Sequence, residues 1–139
     1  MIMKLLLVDD NEQFLESLIF LLTSKGKYEK IDIANDGRQA LEKFNKDTPD
    51  LVLMDIEMPE LNGLEAVKQM LWNCPSVKFI AITMYHEKAY LDELISAGFN
   101  GCIFKNEVAD KLDIAISNVM NGKYFFPGGM KLNKRPGSN

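Results

Sequence analysis

Between Met3 and Gly122, short apolar runs alternate five times with stretches in which apolar residues recur every three or four positions. Met3 to Val8, broken only by Lys4, has the near-continuous hydrophobicity of a parallel strand covered on both faces. It ends at Asp9-Asp10, and Asn11 can cap a helix carrying Phe14, Leu15, Leu18, Ile19 and Leu22, with Gly26 as its stop. Phe20 and Leu21 widen that stripe beyond one face. Ile31 to Ala34 reads as a second strand, and Asp36-Gly37 turns the chain into a helix with Ala40, Leu41 and Phe44 inward. After Thr48-Pro49-Asp50, Leu51 to Met54 forms a third strand that ends on Asp55, before a turn at Met58-Pro59. Leu61-Asn62-Gly63 then leads into a helix through Leu64, Val67 and Leu71, closed by Cys74-Pro75. Phe79 to Ile82 is a fourth strand ending at Thr83. A helix from about Glu87 buries Leu91, Leu94 and Ile95 and stops at Gly98. Cys102 to Phe104 is a short fifth strand ending at Lys105, and the last helix places Val108, Leu112, Ala115, Ile116 and Val119 on one stripe before Asn121-Gly122.

Five strand-then-helix units, each with a connection long enough for a right-handed crossover, predict an α/β fold: a doubly wound five-stranded parallel sheet with helices on both faces. The 139 residues fit one domain over 1–122; beyond it Phe125, Phe126 and Pro127 can pack locally, but Gly128 to Asn139 carries basic, Gly and Pro residues without periodicity, and 123–139 reads as a linker or disordered tail. A net charge of -4 argues against a bare nucleic-acid binder, which needs clustered Lys and Arg. No stretch approaches the roughly 18 apolar residues of a membrane span, and the apolar start MIMKLLLV runs into Asp9-Asp10 without a cleavage site. The expected compartment is the cytoplasm, with Cys74 and Cys102 as buried, reduced thiols.

In an open α/β sheet, ligands gather outside the carboxyl ends of the strands. This chain delivers Asp9 and Asp10 there from strand one, Asp55 from strand three, Thr83 from strand four and Lys105 from strand five. Three carboxylates brought close together repel, by up to about 4 kcal/mol per pair at 4 Å and an effective dielectric near 20. Lys105 offsets part of that cost and a hard divalent cation the rest. Oxygen-only ligands suit Mg²⁺. The implied anion is a phosphoryl group: Mg²⁺ and Lys105 neutralise its oxygens, the Thr83 hydroxyl bonds one of them, and Asp55 attacks phosphorus. Adding about 1.5 to 2 negative charges beside Thr83 and Lys105 is the chemistry of a switch rather than of a metabolic enzyme.

VDDN at Val8 to Asn11, MDIEMP at Met54 to Pro59, the Leu61-Asn62-Gly63 turn, ITM at Ile82 to Met84 and Lys105 fall in a familiar order and spacing. Over about residues 1 to 122 the chain resembles the receiver domain of two-component response regulators. The resemblance implies a flavodoxin-like sheet of order 2-1-3-4-5 and a phosphoprotein acting in phosphorelay signal transduction. It implies that Asp55 accepts phosphate from a sensor histidine kinase and that Asp10, Asp55 and the backbone carbonyl of Glu57 hold Mg²⁺. Asp9 would act through a metal-bound water, Thr83 as the switch hydroxyl and Lys105 as the phosphoryl-binding cation. Such a receiver is not an enzyme in the metabolic sense; it assists its own phosphotransfer and dephosphorylation. ITMY at Ile82 to Tyr85, Asn106 after the lysine and GKYFFP at Gly122 to Pro127 look closest to the NarL-type subgroup. There a helix-turn-helix domain follows the receiver, so DNA would be contacted only through such a C-terminal domain; the sequence ends in a linker-like tail instead and is expected to be either a piece of a longer regulator or a stand-alone receiver.

Cys102 stands where many receivers carry a switching aromatic, and Tyr85 is the nearest aromatic to Thr83. The apolar excess of Phe20 and Leu21 makes a homodimer a candidate assembly, while His86 reads as an exposed loop residue. Three other functions compete. An aspartate-based phosphohydrolase would want a second aspartate where Glu57 stands. A flavin-nucleotide binder would want a Ser/Thr/Gly loop where Asp9-Asp10-Asn11 would repel phosphate. A pseudo-receiver acting only as an interaction module would have lost a site residue, and none is lost.

Overall fold

The structure, a computed structural model, describes residues 3–24, 28–56, 63–84 and 88–127. Gly26, Glu57 to Asn62, Tyr85 to Glu87 and 128–139, on which several of the expectations above fall, lie outside the described residues. In chain order the elements are β1 (Met3–Val8), α1 (Glu12–Thr23), β2 (Tyr28–Ala34), α2 (Gly37–Lys46), β3 (Leu51–Asp55), α3 (Gly63–Asn73), β4 (Lys78–Thr83), α4 (Lys88–Ala97), β5 (Gly101–Phe104) and α5 (Val108–Met120). A single 3₁₀ turn, Lys105–Glu107, joins β5 to α5.

The sheet is parallel throughout, in the order β2-β1-β3-β4-β5. Strand alternation divides its apolar residues into two layers. Leu5, Leu7, Leu51, Leu53, Ile80, Ile82 and Ile103 pack against Leu15, Leu18 and Leu22 of α1 and Leu112, Ile116 and Val119 of α5. Leu6, Val8, Val52, Met54, Phe79, Ala81 and Cys102 face Phe44 of α2, Val67 and Met70 of α3 and Leu94 of α4. Helices thus cover both faces, as five apolar strand runs require. Phe79 anchors the second layer, stacked on Phe44 at 6.3 Å and edge-on to Phe99 at 6.2 Å.

The helix ends follow local chemistry. Asn11 and Asp36 cap α1 and α2 by accepting the Phe14 and Gln39 N–H at 3.1 and 2.8 Å. Gly98 and Gly122 turn the chain out of α4 and α5 with φ of +113° and +84°, which only glycine adopts without strain. β2 begins three residues earlier than its apolar pattern marks, because an edge strand is half solvated and accommodates Glu29 and Lys30. Lys30 and Lys4 both bond Asp47, at 2.8 and 3.0 Å, and these hydrogen bonds hold its carboxyl down at about 2. Burial pushes the Cys102 thiol up to about 12, so it is inert. Cys74 is only half-buried, contrary to expectation, because it leaves the end of α3 at the turn toward β4.

Packed chain continues past Gly122 to Pro127. The Phe125 N–H donates to Asn100 O at 3.0 Å and the Cys102 N–H to Phe125 O at 2.8 Å, so this segment covers the free edge of β5. Phe125 joins one apolar layer and Phe126 the other. Gly101 makes the approach possible, since a Cβ there would lie 2.9 Å from Phe125 O and 3.3 Å from a Val119 methyl. Gly101→Ala is therefore expected to lift the strap and destabilise the fold by about 1–3 kcal/mol. The check is a denaturation curve together with hydrogen exchange at the Cys102 amide, which would lose its protection; an unchanged midpoint and an amide still protected would refute it.

Candidate functional site

Parallel register brings the polar strand ends to one edge. Val8 pairs with Met54, so Asp9 and Asp55, each one residue further on, stand at the same level of β1 and β3. Asp55 pairs with Ile82, and Thr83 with Phe104, so β4 and β5 extend successively further and Lys105 follows at the tip of the staircase. Alternation then sorts the faces. Asp9 and Asp55 continue the Leu5-Leu7 and Leu51-Leu53 series, and Lys105 that of Ile103, all on the α1/α5 side. Thr83 continues the Phe79-Ala81 series on the opposite side, which it shares with Cys102.

Contacts follow this parity. The Lys105 ammonium lies 3.0 Å from Asp9 Oδ2 and 3.5 Å from Asp55 Oδ2. Asp9 is 1% and Asp55 7% exposed, while Asp10 is an exposed residue. Burial draws the Lys105 pKa down, but the neighbouring carboxylates outweigh it and hold the group above its ordinary value. Asp9 Oδ1 accepts the Asn11 N–H at 2.8 Å, which ties the acid to the cap of α1. Asp9 Oδ2 is buried, and although it touches the lysine it receives no well-directed hydrogen bond from the described residues. Thr83 is itself 1% exposed. The Lys105–Asn106 bond is trans.

Asp9, Asp10 and Asp55 each present an oxygen within 4.8 Å of the others. An under-bonded buried oxygen within a cluster of three carboxylates fits a hard divalent cation, and the absence of His or Cys from that cluster disfavours a softer one. The arrangement brings together Asp9, Asp10, Asp55 and Lys105 as the strand ends predict. Glu57, the expected carbonyl ligand, lies outside the described residues. A groove of about 420 Å³ beside α3 and α4, lined by Leu64, Lys68, Asp92, Glu93, Ser96 and Ala97, contains none of these groups. Helical spacing alone marks Phe14 as a core residue; in the fold its ring also lies 4.8 Å from the Lys105 ammonium.

Residues 5–117 match the response regulator receiver domain family. The chain is 34% identical over 124 residues to the transcriptional regulatory protein LnrK of Bacillus subtilis, covering 89% of this chain and 56% of that protein. It is 35% identical over 116 residues to the chemotaxis protein CheY of Thermotoga maritima, covering 84% and 97%. The crystal structure of a LuxR-family two-component response regulator from Aurantimonas sp. SI85-9A1 superposes with a TM-score of 0.84 at 25% identity, covering 90% of this chain and 89% of that one. The chain spans about half the length of the transcriptional regulators it matches. Among the described residues no helix is long and apolar enough to cross a membrane.

Proposed function

This chain belongs to the response regulator receiver domain family, the phosphorylation-dependent signalling modules of two-component systems, and we propose that Asp55 is its phosphoacceptor. The observation that carries the reading is the Lys105 ammonium held between Asp9 Oδ2 and Asp55 Oδ2 at 3.0 and 3.5 Å. A cation so placed can follow charge from the unphosphorylated carboxylate to a phosphoryl oxygen with little movement.

Asp55 attacks phosphorus, the bond to the donor breaks, and the donor atom keeps the electron pair. Lys105 transfers a hydrogen bond from the Asp55 carboxylate to a phosphoryl oxygen, and the Thr83 hydroxyl donates to another. Asp9, Asp10 and Asp55, with the carbonyl of Glu57, would hold Mg²⁺, which supplies charge neutralisation for the transferring group. Water later cleaves the acyl phosphate and restores the carboxylate. The reaction is self-assisted phosphotransfer, not turnover of a metabolite. Movement of Thr83 on the α3/α4 side and of Lys105 on the α1/α5 side would convey the state to both helical layers.

The proposed donor is a sensor histidine kinase in the cytoplasm. Phe20 of α1, 74% exposed, and Ile114 of α5 are the apolar residues through which a second copy of the chain would dock. DNA is proposed as a partner only of a C-terminal helix-turn-helix domain, not of this acidic receiver. The test is incubation with acetyl phosphate. With Mg²⁺ a stoichiometric, alkali-labile and acid-stable adduct is expected, and with EDTA none. Absence of an adduct under both conditions would leave the interaction-module reading, and an equal yield in EDTA would remove the metal from it.

A further inference from the structure

Among the described residues, one contact of the Lys105 ammonium is not with an acid. Besides Asp9 Oδ2 and Asp55 Oδ2 it faces the ring of Phe14, 4.8 Å from its centroid. Phe14 is itself fixed by the acid site. Asp9 Oδ1 accepts the Asn11 N–H at 2.8 Å, and the Asn11 side chain in turn accepts the Phe14 N–H at 3.1 Å. The ring packs against the α1/α5 layer. The contacts close a circuit: Asp9 sets Asn11, Asn11 sets the first turn of α1, that turn sets Phe14, and Phe14 faces the cation that returns to Asp9.

We propose that Phe14 is a positioning residue for phosphoryl transfer, acting through Lys105. An ammonium has three N–H donors and no acceptor. A π face attracts the cation without offering a lone pair in the way water or a carboxylate does, so it leaves the donors free for the carboxylates and for the phosphoryl oxygens that replace them. It also excludes water from one side of the charge. An aliphatic side chain of similar volume would preserve the packing and lose the attraction. The inference rests on the reading of Asp55 as phosphoacceptor.

With acetyl phosphate and saturating Mg²⁺, Phe14→Leu is expected to lower the phosphorylation rate by about 3- to 10-fold, the range set by a partly desolvated cation–π contact. Phe14→Tyr, which keeps the ring, should recover the wild-type rate to within about twofold. When Lys105 is replaced by methionine, Phe14→Leu should change the residual rate no further, because the effect runs through the cation. In the unphosphorylated wild type, ring current from Phe14 should shift the Lys105 side-chain proton resonances upfield, and the shift should vanish in Phe14→Leu. A Phe14→Leu rate matching wild type, or an equal loss without the lysine, would overturn the inference while the phosphoacceptor reading stands. A wild-type chain that forms no adduct overturns both.

Discussion

Asp55→Asn is expected to abolish the acyl-phosphate adduct and, in metal-free buffer, to raise the melting temperature. The two effects have one cause. Asp55 is 7% exposed and its carboxylate lies within 4.8 Å of an oxygen of both Asp9 and Asp10. Against these two repulsions, of about 3.5 kcal/mol each at that distance and an effective dielectric near 20, Lys105 at 3.5 Å returns about 4.7. A neutral amide of the same shape removes both kinds of term, with an expected gain of about 1–2 kcal/mol, or roughly 3–8 °C in Tm. Mg²⁺ should close the gap by stabilising the wild type preferentially. Mass spectrometry after acetyl phosphate treatment and thermal melts with and without Mg²⁺ measure both halves. An adduct retained in the variant would refute the site assignment, and a lowered Tm would refute the electrostatic account.

Lys105→Met should act in the opposite direction on stability and in the same direction on chemistry. Asp9 is 1% exposed and the Lys105 ammonium 3.0 Å away is its only cationic contact among the described residues. Leaving that carboxylate without its partner costs about 2–4 kcal/mol, less than for a fully buried pair because the lysine itself is partly solvated. Loss of a charge-assisted hydrogen bond to the phosphoryl group should slow adduct formation by about 10- to 100-fold. The pH dependence has a definite sign. The folded-state pKa of Lys105 is raised above 10.5, so its stabilisation is complete below pH 10.5 and is lost as pH rises through the folded value. Wild type and Lys105→Met should therefore converge on the alkaline limb, beginning near pH 10.5. Parallel curves through that region, or a variant as stable as wild type at neutral pH, would contradict the ion-pair geometry.

Much of this site was legible before any coordinates. Asp9, Asp10, Asp55 and Lys105 each follow an apolar run that can only be a buried strand, and parallel strands all deliver their ends to one edge. The capping role of Asn11 was equally plain, because an Asn before a helical stripe has one dominant use. Helical spacing marks Phe14 as core, since spacing reports that a residue faces inward but not which cation lies beside its ring. The strand end puts Thr83 at the same edge of the sheet as the acids, and strand alternation adds that it continues the Phe79-Ala81 series of β4. The start of the edge strand β2 is not legible, because partly solvated backbone pairing leaves little mark on hydropathy, and the apolar Phe125 and Phe126 suggest local packing without showing which strand edge they cover.

The order of strands and helices, the doubly wound class and the identity of the four polar strand ends are local properties, written in apolar runs, caps and stops that act within a few residues. Which of those ends touch is a matter of register and parity between strands far apart in the chain. A shift of one residue in β5 would turn Lys105 away from Asp9 and Asp55 while preserving every local signal. The tertiary structure alone decided that the lysine spans these two acids over the ring of Phe14, and that chain beyond the last helix closes the edge of β5 at Gly101.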